Sequence, residues 1–178
     1  MFFIVREVPD KAVTELRSIT SYKLMNKKFK VLISWIVVFL WMLLIFILSS
    51  QVAVESDGLS LGITDRLIGA FGSLSQVNVE TINHILRKGA HFSAYLLLAI
   101  FCSKASRQSG ISGLKGFILV FSLCVIYAIS DEIHQLFVEG RSGLPSDVVI
   151  DSLGALTGRG IFQFITKLFF KTPNNSTE

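Results

Sequence analysis

VLISWIVVFLWMLLIFIL, Val31 to Leu48, is eighteen residues interrupted by a single hydroxyl, Ser34. As a helix rising about 1.5 Å per residue it reaches about 27 Å, close to the thickness of a bilayer's hydrocarbon core. A secretory signal would have a shorter apolar core followed by a small-residue cleavage site. Trp35 and Trp41 lie within a run too long for that. The stretch therefore reads as a retained transmembrane helix, and the rest of the chain is read as a membrane protein's.

Three further apolar stretches follow. The second runs from Val79 to about Ser103, with Asn78 as N-cap and Glu80 in the first turn, where an acidic side chain suits the helix dipole. The third starts near Gly116, and its apolar character continues past Asp131 and Glu132 through Ile133, Leu136 and Phe137. That places the two acids about two turns below the helix end. The fourth runs from an N-cap at Ser146 towards Phe170. The fold expected is all-α: a polytopic membrane protein with four transmembrane helices.

Composition agrees. Of 178 residues, 51% are hydrophobic and 17% charged, and mean hydropathy is +0.60. Globular chains carry nearer a quarter charged residues. The net charge of +4 and pI of about 9.2 do not argue for nucleic acid, because Lys and Arg flank the apolar runs as in membrane proteins. Cys102 and Cys124 lie within apolar segments and read as reduced packing residues.

Residues 1–30 are expected to be a cytoplasmic N-terminal segment, 31–170 the membrane domain and 171–178 a disordered cytoplasmic tail. Met25-Asn26-Lys27-Lys28-Phe29-Lys30 has the form of an alternative translation start. Between the first two helices, Ser56-Asp57-Gly58 reads as a turn. Ile63, Leu67, Phe71 and Leu74 recur at helical spacing, as in an outer amphipathic helix lying in the interface.

The positive-inside rule orients the chain. Lys23, Lys27, Lys28 and Lys30 precede the first helix. Lys104, Arg107 and Lys115 lie between the second and third, and Lys167 and Lys171 near the end of the fourth. Four crossings put all three sets, and both termini, on the cytoplasmic side of a cell membrane. Arg87, Lys88 and Arg141 then lie outside, beside the acids.

Those exceptions mark the candidate site. Arg87, His91 and Tyr95 are four apart on one stripe of the second helix. Asp131 and Gln135 share a stripe of the third, with Glu132 three before Gln135. Asp147 and Asp151 share one on the fourth, continued by Gly154 and Gly158. Charge at the edge of hydrocarbon is costly, so three polar stripes at one end imply function. Glu132 is the candidate general acid or base, with His91 assisting. Arg87, Lys88, Tyr95, Asp131, Gln135, Arg141, Asp147 and Asp151 are the candidate ligand-binding residues, with the Arg and Lys suited to phosphate.

Three alternatives compete. In a structural network, Arg87 or Lys88 would neutralise Asp131 or Asp151 and clip the helices together. Such networks cost more than apolar packing, and there are more carboxylates than clipping needs. His91, Asp131, Glu132, His134, Asp147 and Asp151 offer ligand types for a divalent ion. No spacing matches a metal motif such as His-Glu-x-x-His, so no metal or other cofactor is assigned. A transporter is disfavoured by the small size. Gly154-Ala155-Leu156-Thr157-Gly158 has the small-xxx-small form and reads as close packing within the bundle.

At these residues the chain resembles the VanZ-like family of bacterial membrane proteins. The resemblance rests on Arg87-Lys88-Gly89-Ala90-His91-Phe92 with Tyr95, and on Asp131-Glu132-Ile133-His134-Gln135-Leu136-Phe137. It continues in Gly140-Arg141-Ser142-Gly143 and in Asp147 to Ala155. Phe46-Ile47-Leu48-Ser49-Ser50-Gln51 is also typical. The family takes its name from a protein linked to teicoplanin resistance, so the resemblance implies a role in the cell envelope. The partners expected are membrane lipids and a lipid-linked envelope precursor. The function expected is engagement of that ligand in an outward polar cavity, with an effect on glycopeptide susceptibility. The alternative is an enzyme acting on a lipid headgroup.

Overall fold

The structure is a computed structural model, and it describes residues 10–51, 79–141 and 143–169. These form four helices: α1 (Asp10–Ser49), α2 (Val79–Gln108), α3 (Gly113–Gln135) and α4 (Pro145–Phe169). There is no strand among the described residues. The expected amphipathic segment at residues 63–74, the Asn78 cap and the tail lie outside them.

Each helix contains a stretch long and apolar enough to cross a membrane: Met25–Ser49, His84–Gln108, Gly113–Gln135 and Pro145–Phe169. The outward surface agrees. Phe39 is 66% exposed and Phe164 68%, amid a belt that includes Leu40, Ile126, Leu153 and Phe169. Water would not tolerate such a continuous apolar surface, whereas lipid matches it.

The core is made of small residues. Ala99, Cys102, Ala105, Cys124, Ala128 and Ala155 are buried with Leu98, Val120 and Tyr95. Lipid tails are as apolar as leucine, so close packing and polar contacts hold such helices together, not burial from water. The closest approach joins α2 and α4. A Cβ built on Gly154 would collide with the Phe92 carbonyl oxygen, and one on Gly158 with that of Leu96. The small-xxx-small pattern therefore serves packing within the chain. Cys102 and Cys124 are free thiols, buried as expected.

α1 is fastened by polar contacts. Trp41 Nε1 donates to the Ala94 carbonyl (3.0 Å), Ser34 Oγ to Gln108 Oε1 (2.6 Å), and the Tyr127 hydroxyl to the Met42 carbonyl (2.6 Å). α1 and α3 otherwise barely meet. Between them lies an apolar groove of about 530 Å³ lined by Met42, Leu123 and Ile126.

Several helix bounds differ from the sequence reading. α1 begins at Asp10, not near Val31. The stretch from Asp10 to Lys30 has no Gly or Pro to interrupt a helix, and Pro9 precedes it. α3 begins at Gly113 and ends at Gln135, so Glu132 stands in its last turn, not two turns from the end. The chain then folds back, and the Leu144 N–H donates to Glu132 Oε2 (2.8 Å). α4 begins at Pro145, a favoured first helical residue because its missing N–H would have no helical partner there. Ser146 is therefore inside the helix and is not its cap. Between α2 and α3, Gly110 adopts φ +84°. The Ile111 N–H reaches the Ser106 carbonyl and the Gly110 N–H that of Arg107, the pair of bonds that closes a helix through a left-handed residue.

The bundle thus has two polar ends. One gathers the end of α1, the start of α2, the end of α3 and the start of α4. The other holds Arg107, Arg159 and Lys167 around a cavity of about 330 Å³. Arg159 is half-buried there, and its Nε has no hydrogen-bond partner among the described residues.

Candidate functional site

The three stripes converge at the first end. α2 presents Arg87, His91 and Tyr95 to a cavity of about 620 Å³, where Asp131 of α3 and Arg141 of the following loop meet them. Ile45, Leu48, Ile85 and Leu86 supply apolar lining to the same cavity. The spacing explains the convergence. Residues four apart stack on one face of a helix, and Gly154 and Gly158 let α4 lie against α2 so that its acids reach that face.

The other five candidates do not line the cavity: Gln135 and Asp151 contact residues that do, and Lys88 and Asp147 pair with each other. Lys88 Nζ lies 2.5 Å from Asp147 Oδ1. His91 Nδ1 lies 3.4 Å from Asp151 Oδ1, and the Asp151 side chain is fully buried. Gln135 is buried between two acids; its Nε2 donates to Asp131 Oδ2 (3.5 Å) and Glu132 Oε1 (3.4 Å). Both bonds are long, so Gln135 spaces two carboxylates more than it neutralises them. Glu132 also receives the Leu144 N–H just before α4, where the helix dipole favours an anion. Arg141 Nε donates to the Gln51 carbonyl (3.1 Å), tying the loop to the end of α1.

The ion pairs differ from those of the structural alternative. Lys88 takes Asp147, not Asp131 or Asp151, and Arg87 makes no ion pair among the described residues. His134 turns away to α1, where its Nε2 meets Ser50 Oγ (3.0 Å) and its ring packs 4.5 Å from that of Phe46. His84 is exposed.

Among the described residues, five buried polar atoms at this end make no well-formed hydrogen bond: Ser49 Oγ, the Tyr95 hydroxyl, Asp131 Oδ1 and both carboxylate oxygens of Asp151, although Asp151 Oδ1 faces His91 Nδ1 and Ser49 sits against Asp131. Buried polar atoms are almost always paired, so five together are unusual. One ligand atom each from His91, Asp131 and Glu132 lie within 4.8 Å of one another. Chemically, the site offers two guanidinium groups for an anion, an imidazole beside carboxylates for proton transfer, and a donor set for a cation.

The sequence profile of the VanZ/LLP1 family matches residues 34–167. That span covers most of the chain and all ten candidate residues. The chain belongs to the VanZ/LLP1 family. No curated protein and no solved structure matches it. Family membership and four apolar helices together make it a multi-pass VanZ-like membrane protein.

Ser49 is a site residue that helical spacing in the sequence does not mark. It is buried, lines the cavity and sets its hydroxyl beside Asp131. The signal was present in the VanZ-like segment Phe46 to Gln51, but a serine ending an apolar helix is too common to stand out alone.

Proposed function

We propose that this VanZ-like protein binds the polar headgroup of a lipid-linked cell-envelope component in the cavity at Arg87, and that binding alters susceptibility to glycopeptides such as teicoplanin. One observation carries the reading. The cavity joins Arg87, His91, Asp131 and Arg141 to the apolar Ile45, Leu48 and Ile85. A charged site with an apolar lining suits an amphiphile, whose headgroup meets the arginines while its chain stays in hydrocarbon. The bacterial cell membrane is the expected location. Lys104, Arg107, Lys115 and Lys167 gather towards the opposite end, which supports a cavity facing outward with both termini in the cytoplasm.

Native mass spectrometry of the detergent-solubilised protein tests this directly. The wild type should carry a co-purifying lipid or envelope precursor. Arg87→Ala should lower its occupancy about tenfold, the scale of one charge-assisted hydrogen bond. Wild type, but not Arg87→Ala, should change teicoplanin susceptibility when expressed. A bare chain mass in both proteins would end the headgroup reading.

A second reading is supported by the closeness of Glu132 and His91. In an enzyme acting on a lipid headgroup, Glu132 would move a proton and Glu132→Gln would retain the ligand while turnover stops. In a binding protein the same change would weaken ligand and phenotype together.

A further inference from the structure

We infer that His91, Asp131 and Glu132 form a binding site for one divalent cation. The inference goes beyond the headgroup reading and does not need it, because all three ligands are protein side chains.

Geometry is the first support. Around an octahedral ion with bonds of about 2.1 Å, ligand atoms stand about 3 to 4 Å apart. The three donor atoms already lie within 4.8 Å of one another. They come from two helices, His91 from α2 and the acids from the last turn of α3, so the packing of the bundle sets their spacing.

The unpartnered atoms are the second and independent support. Asp131, the central ligand, is buried, and among the described residues its Oδ1 makes no well-formed hydrogen bond. The Tyr95 hydroxyl, fully buried on the cavity wall beside it, has no hydrogen-bond partner among the described residues either. A bound cation with its coordinated water would satisfy both. Charge points the same way. Lys88 is engaged by Asp147, and Asp131, Glu132 and Asp151 are buried close to His91. Buried carboxylates at such density are neutralised either by protons or by a bound cation, and a cation serves several of them at once.

Asp151 fits as the group that aims the histidine. It faces His91 Nδ1, and ligating histidines are commonly held by a carboxylate at the ring nitrogen that does not bind the ion. With Nδ1 held there, Nε2 would be the nitrogen offered to the cation. One imidazole with two carboxylates suits Mn²⁺, Fe²⁺ or Zn²⁺ better than Ca²⁺, which prefers an all-oxygen shell.

The test uses the full chain in detergent, stripped with a chelator and titrated with Mn²⁺ alone. One Mn²⁺ should bind per chain and raise the thermal midpoint. Pulsed electron paramagnetic resonance should show a nitrogen coupling that disappears in His91→Gln. Asp131→Asn should weaken binding at least tenfold, and Glu139→Gln, an exposed acid in the loop after α3, should leave it unchanged. If Asp131→Asn does not fold, His91→Gln carries the same test. No uptake by the wild type overturns the proposal. So does uptake that persists undiminished in His91→Gln, which would mark an adventitious ion only. Lipid occupancy in the mass spectrum is a separate readout, so failure here and failure of the headgroup reading are distinguishable.

Discussion

Gly158→Ala is expected to destabilise the protein by about 3 kcal/mol, at the upper end of what overpacking costs, whereas Gly160→Ala, two residues on, should stabilise it by about 0.5–1 kcal/mol. Both positions are inside α4, and both gain the same helix propensity from alanine. They differ in what the new methyl meets. At Gly160 there is no atom within 4 Å. At Gly158 the methyl would overlap the Leu96 carbonyl oxygen. That obstacle is backbone in the middle of α2, so no rotamer change relieves it. The helices must separate, and close packing is what holds them together.

The effect should reach the site. Asp147 and Asp151 lie on the same buried face of α4 as Gly154 and Gly158. Pushing α4 away from α2 draws both acids from Lys88 and His91. Gly158→Ala should therefore weaken ligand and cation binding as well as lower the thermal midpoint in detergent. Gly160→Ala should keep both. Equal midpoints for the two variants would mean that α2 and α4 do not pack as described.

The same contrast shows what the sequence could and could not reveal. Four crossings were legible because an apolar run of membrane length has few other uses. The stripes were legible because spacing by four fixes a face: Arg87, His91 and Tyr95 do reach one cavity, and Gln135 does reach Asp131 and Glu132. Pairing across helices was not legible. Whether Lys88 meets Asp147 or Asp131 depends on the rotation and depth of α4 against α2, which periodicity leaves open. The grouping of His91 with Asp131 and Glu132 was hidden for the same reason: metal motifs are recognised by short spacing, and this set spans two helices. Helix ends were also hard to read. α3 stops after Gln135 although Leu136 and Phe137 continue the apolar pattern, and the returning chain places the Leu144 N–H on Glu132.

Lys88→Met should cost about 2–3 kcal/mol, and adding Asp147→Asn to it should restore most of the loss. Removing one member of a buried pair typically costs about 3–5 kcal/mol, because the other charge is left without compensation. The Lys88 side chain is 26% exposed and that of Asp147 12%, so partial solvation should place the effect below that range. In the double variant no charge is left uncompensated, and the asparagine still offers polar atoms to the start of α4. The cycle separates two roles that sequence spacing alone left together. If Lys88 chiefly fastens α2 to α4, stability falls in the single variant and recovers in the double, while lipid occupancy follows stability. If Lys88 chiefly holds an anionic headgroup, Lys88→Met lowers occupancy with little change in midpoint, and Asp147→Asn restores nothing. The 2.5 Å contact and the half-buried position favour the first outcome, leaving the arginines of the cavity to meet a ligand. Equal destabilisation in the single and double variants would show that the pair contributes no coupling, and that α4 is positioned by Gly154 and Gly158 alone.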